Sequence, residues 1–91
     1  MNAVLLDRDT FTFVNDSPMV KLILHDDSIF PAEVVVVILS SVMGFSNDRS
    51  YQIMMDAHRN GKSLIGEYTE PFAELSRDQL VAEGLTVSIE R

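Results

Sequence analysis

Residues 31 to 43 read Pro-Ala-Glu-Val-Val-Val-Val-Ile-Leu-Ser-Ser-Val-Met, and whether they form a strand or a helix decides the fold. Four consecutive valines and an isoleucine favour a strand, because β-branched side chains lose rotamer freedom in a helix and pack well on a pleated surface. Length favours a helix, since the run far exceeds the usual strand of roughly five or six residues. Pro31 suits a first helical turn, Glu33 the positive end of the helix dipole, and Gly44 a C-cap. The stretch therefore predicts a helix, and its nearly continuous apolar character predicts burial on most sides.

Before it, Val20 to Leu24 is a short apolar run that stops at His25, Asp26, Asp27 and Ser28, where turn-forming residues take over. That is a first strand with its exit loop. After it, Ser46 is a good N-cap for a second helix running to Asn60 and Gly61, along which Tyr51, Met54 and His58 fall on one face. Ser63 to Tyr68 reads as a second strand interrupted by Gly66, whose missing side chain would let another backbone approach closely. Thr69 can cap a third helix with an apolar stripe at Phe72, Leu75 and Leu80, ended by Gly84. Leu85 to Glu90 alternates apolar and polar residues as a final strand. The expectation is one α+β domain of order β-α-α-β-α-β, a small three-stranded antiparallel sheet covered by three helices, over residues 20 to 91. Residues 1 to 19, with the turn formers Asn15, Asp16, Ser17 and Pro18, read as a flexible N-terminal arm.

Composition narrows the function. Ninety-one residues suffice for one core, and the 46% hydrophobic, 23% charged make-up is that of a globular chain. A net charge of -7 with scattered basic residues leaves no positive surface for phosphates, so nucleic acid is excluded as a partner and cationic ligands are favoured. No run is long enough to span a membrane, and no cysteine is present to form a disulfide or act as a thiol nucleophile. The start lacks the pattern of a signal peptide, so a cytoplasmic location is expected.

Gly61, Lys62 and Ser63 resemble the end of a phosphate-binding loop, but Asp56 stands where that motif needs a glycine. No nucleophile elbow is present, so no enzymatic activity and no cofactor are expected. His25, Asp27 and His58 have the ligand types of a two-histidine, one-carboxylate metal site, at a spacing with little specificity. The plainer reading is that Asp26 and Asp27 cap a turn while His58 complements the end of its helix.

Taken together these residues are more specific. The stretch Val20-Lys-Leu-Ile-Leu-His-Asp-Asp27, then Pro31 and an apolar helix ending in Met43, Gly44, Phe45 and Ser46, resembles the ClpS adaptor family. So does Gln52-Ile-Met-Met-Asp-Ala-His58, followed by Gly61, Lys62, Gly66, Glu67, Tyr68, Thr69 and Glu70, and by Ala73 and Glu74. The resemblance implies a non-catalytic adaptor. Such adaptors bind proteins with a destabilising first residue (Leu, Phe, Tyr or Trp) and deliver them to a Clp AAA+ unfoldase of the ClpA or ClpC type and its peptidase. It assigns the free α-amino group to His25, Asp26, Asp27 and His58, with Asp27 mainly shaping the loop. The first side chain falls to a pocket of Ala32, Val35, Met54, Ala57 and Leu85, residues that plain core packing also explains.

An ammonium group carries three donors and a charge, so converging acceptors make chemical sense as its site. His25 stands where the family has asparagine and accepts only when neutral, so binding should weaken at low pH. Ala32 and Ala57 replace larger residues, which implies tolerance of bulkier or branched first residues. Pro71 and Ser76 stand where the family docks on the unfoldase, which keeps open a module of this fold that blocks or redirects the protease. A structural domain related to the C-terminal domain of the ribosomal stalk protein is a further alternative, and it leaves the aspartate pair unexplained.

Overall fold

The structure, a computed structural model, describes residues 18 to 91. Its elements are β1 (Met19–His25), α1 (Ala32–Met43), α2 (Asn47–Asn60), β2 (Lys62–Thr69), α3 (Glu70–Ala82) and β3 (Val87–Glu90). The three strands form one antiparallel sheet in the order β2-β1-β3. The expected order and class are thus those observed, while the proposed arm of residues 1 to 19 lies, except for its last two residues, outside the described residues. Among the described residues no helix is long and apolar enough to cross a membrane.

β1 is central because its even-numbered side chains, Val20, Leu22 and Leu24, all face the helices, and each is buried. Opposite them in register stand Val87 and Ile89 of β3, and the cluster closes with Val35, Ile38 and Leu39 of α1, Ile53, Met54 and Ala57 of α2 and Leu80 of α3. The odd-numbered residues Lys21, Ile23 and His25 face the other way, toward Glu90 and Ser88 on one side and Glu67, Leu64 and Lys62 on the other. An ion pair between Lys62 Nζ and Glu90 at 2.9 Å must cross β1 on this face at Ile23, which is only 5% exposed.

Several local readings need correction. α1 is not buried on most sides: only Val35, Ile38 and Leu39 are buried, while Val34 and Val37 are exposed, because the helix covers one face of a small sheet and has solvent behind it. In α3 the expected stripe of large residues is displaced. Phe72 and Leu75 are exposed, and the buried residues are Ala73, Ser76 and Leu80. Small side chains at two of these three positions let the helix lie close against the sheet. Thr69 precedes α3 without a side-chain capping bond, whereas Ser46 does cap α2, its hydroxyl accepting from the Arg49 N–H at 3.1 Å. The space left by Gly66 is filled not by another backbone but by the Tyr68 ring from two residues along the same strand; an added Cβ would lie 2.6 Å from its Cζ. Between Gly66 and Leu64, which face Leu22 and Ile23, β2 carries Ile65 as an extra residue. This bulge turns Ile65 into the core and leaves Leu64 half-exposed outside it.

Candidate functional site

The site forms where three chain segments end side by side. β1 runs one residue further than the apolar run predicts, because the His25 N–H still donates to the Thr86 carbonyl at 2.9 Å. The next N–H, from Asp26, donates to the Gly61 carbonyl at 2.9 Å. Gly61 adopts the left-handed conformation (φ 89°) that lacks a penalty only for glycine, and its own N–H closes α2 on the Ala57 carbonyl at 2.8 Å. One glycine therefore ends the helix and fixes the strand exit against it. Asp26 is brought beside the last turn of α2, with Oδ1 3.7 Å from His58 Nδ1. That separation is too long for the two groups to satisfy each other by a hydrogen bond and short enough for one cation to touch both. The His58 side chain is 70% exposed and that of Asp26 38%, so both are open to a ligand.

Asp27 is spent on the loop. Its Oδ1 accepts from the Ile29 N–H at 3.0 Å and its carbonyl from the Phe30 N–H at 3.2 Å, an Asx-type turn that redirects the chain into α1. The same turn lays Phe30 against Gly84, where an added Cβ would lie 3.0 Å from the ring. At the end of β1 the His25 ring lies on the sheet face away from the helices, with Nε2 2.6 Å from Ser88 Oγ.

These turns enclose a cavity of about 340 Å³. His25, Asp26, Asp27, Ala32, Val35, Met54, Ala57, His58 and Leu85 all line it, although the His25 ring itself is turned away to Ser88 and offers the cavity no free acceptor. Val35, Met54, Ala57 and Leu85 form a buried apolar floor together with Leu24, and Ala32 is an exposed edge. The structure adds Phe30 and Pro31, which the sequence reading treated as loop and helix start. A phenylalanine inside a polar turn was the available signal, because a large apolar side chain there needs a surface to cover. An apolar cavity with a few polar groups gathered at its mouth holds one side chain and reads whatever carries it. Among the described residues, no group of three His, Asp or Glu side chains is placed to hold a metal ion. Among the described residues one ionisation is displaced, on the open sheet face, where the Lys62 hydrogen bond and charge hold the Glu90 carboxyl below its ordinary range.

Comparison with known proteins places this geometry. Residues 15–88 match the family model described as ATP-dependent Clp protease adaptor protein ClpS. The ATP-dependent Clp protease adapter protein ClpS of Prochlorococcus marinus is 32% identical over 91 residues, covering 99% of this chain and 87% of that protein. Its counterpart from Synechococcus elongatus is 35% identical over 83 residues, covering 90% and 87%. Among solved structures, Agrobacterium tumefaciens ClpS2 bound to L-phenylalaninamide superposes with a TM-score of 0.77 at 28% identity, covering 79% of this chain and 94% of that one. From its sequence, its strand order and these relatives, the chain belongs to the ClpS family of Clp protease adaptor proteins.

Proposed function

We propose that this chain captures proteins by a free amino terminus with a bulky hydrophobic first residue, Leu, Phe, Tyr or Trp. In this reading it performs no chemistry on them and delivers them in the cytoplasm to a Clp ATP-dependent protease through an unfoldase of the ClpA or ClpC type. The observation that carries the reading is the pairing of Asp26 and His58, 3.7 Å apart, at the mouth of a cavity whose floor is apolar.

An α-ammonium seated there donates to the Asp26 carboxylate and to a ring nitrogen of His58, with the His25 ring held by Ser88 on the far sheet face and Asp27 holding the loop in shape. Bonds of this charge-assisted kind contribute about 1.5 to 3 kcal/mol each, and burying a Phe or Leu side chain on the floor adds a similar amount. Acetylation removes the charge and two of the three donors at once, so a blocked terminus loses the first contribution and keeps the second. L-phenylalaninamide, the ligand of the Agrobacterium relative, joins a free amine and a benzyl side chain in one small molecule, which supports this assignment of rim and floor.

The test uses matched peptides beginning with Phe, Leu or Met, each with a free or an acetylated amino terminus. Tight binding of free Phe and Leu peptides, with acetylated forms weaker by tenfold or more, is the expected result. Equal binding of all six, or none of any, would refute it. With a Clp unfoldase and peptidase added, faster degradation of a Phe-led substrate supports delivery, and slower degradation would make the chain a blocker.

A further inference from the structure

A second, shallower cavity of about 600 Å³ lies between α1 and α2, and it shares Ala32 and Met54 with the first. Its apolar surface comes from Val36, Val37 and Met54, and its polar rim from Glu33, Asp48 and Tyr51. We propose that this groove is a subsite for a lysine or arginine side chain about three or four residues beyond the first residue of the captured polypeptide. The proposal rests on the amino-terminus reading above and extends it along the chain.

The register follows from α2. His58, Met54 and Tyr51 lie on one face of that helix, with Asp48 a turn further on. At 1.5 Å rise per residue, Tyr51 is roughly 10 Å and Asp48 roughly 15 Å from His58 along the axis. An extended peptide advances roughly 3.3 Å per residue, so with its first residue at His58 the fourth to sixth residues draw level with these side chains. The ridge to be crossed is low because residue 32 is alanine and exposed.

The chemistry of the groove selects the side chain. A long cation can lay its methylene stem on Val36 and Val37 while its head meets two carboxylates and the face of a half-exposed tyrosine. Glu33 and Asp48 each stand in the first turn of a helix, where the dipole favours an acid. That accounts for each acid on its own helix but not for both facing one groove continuous with the peptide cavity. Among the described residues neither is engaged in an ion pair.

The experiment scans one lysine, and separately one glutamine, through positions 2 to 6 of a Phe-led, otherwise neutral peptide with a free amino terminus. Lysine should bind about two- to fivefold tighter than glutamine at the fourth or fifth position, and less so elsewhere. In the double variant Glu33→Gln, Asp48→Asn that lysine advantage should vanish, and in the parent protein it should shrink with added salt. A flat scan overturns the proposal. A lysine advantage equal at every position, or one that persists in the double variant, also overturns it, since either would reflect net charge alone. If the neutral Phe-led parent peptide fails to bind, the amino-terminus reading has failed, and the two failures are thereby told apart.

Discussion

The rim and the floor of the cavity are built from different materials. The floor, Leu24, Val35, Met54, Ala57 and Leu85, belongs to the main core, and every member is buried. The rim, Asp26, Asp27 and His58, stands partly in solvent and is placed by backbone bonds such as Asp26 N–H to Gly61 and Ile29 N–H to Asp27. In the proposed reading floor residues serve the fold and the ligand at once. Rim residues serve the ligand while contributing little to the fold, because pairs this exposed add little stability.

A substitution in each region separates these roles. Leu85→Ala should show the largest effect, lowering the free energy of unfolding by about 2 to 5 kcal/mol as read from urea denaturation. A midpoint that did not move would mean that Leu85 is a wall of the pocket and not part of the core. Asp26→Asn should weaken binding of a free-amine Phe peptide by about 1.5 to 3 kcal/mol, roughly tenfold to more than a hundredfold in Kd, with the unfolding midpoint held. Equal losses of stability and affinity in that variant would erase the distinction between rim and floor.

The smallest effect lies outside both regions, at Lys62 and Glu90. Since the ion pair depresses the Glu90 pKa in the folded state, its contribution is complete above the ordinary carboxylate value and disappears as pH falls through the depressed one. Comparing the parent protein with Lys62→Ala by urea denaturation across the acid range should give curves that differ near neutrality and converge at low pH. Parallel curves would assign the difference to lost side-chain packing instead of charge.

Of the floor, local pattern gave the apolar run Val20 to Leu24 and the place of Met54 on a helix face. Val35, Ala57 and Leu85 were assigned to the pocket by the family resemblance. Of the rim, periodicity gave only the position of His58 on the face of Met54. That Asp26 meets His58 depends on a turn at Gly61 and a sheet register between distant segments, which no local pattern contains; the family resemblance supplied it. The errors in α1 and α3 have a shared source. A helix read alone shows which residues are apolar, but its buried side is chosen by what it packs against. In α3 the sheet accepts Ala73 and Ser76 at close range in preference to Phe72 and Leu75.

The bond between the Asp26 N–H and the Gly61 carbonyl joins positions 35 residues apart in the chain (61 − 26), and the rim exists only once it has formed. Contacts of that separation carry a large loop-closure cost and tend to form late, after local helices. A chain still emerging from synthesis, or one with β1 detached, can therefore hold helical structure and an apolar surface yet have no seat for an amine. Recovery of ligand binding during refolding should lag behind recovery of helix. If the proposed delivery holds, the same seam would keep an incompletely folded copy from withdrawing substrates it cannot pass on.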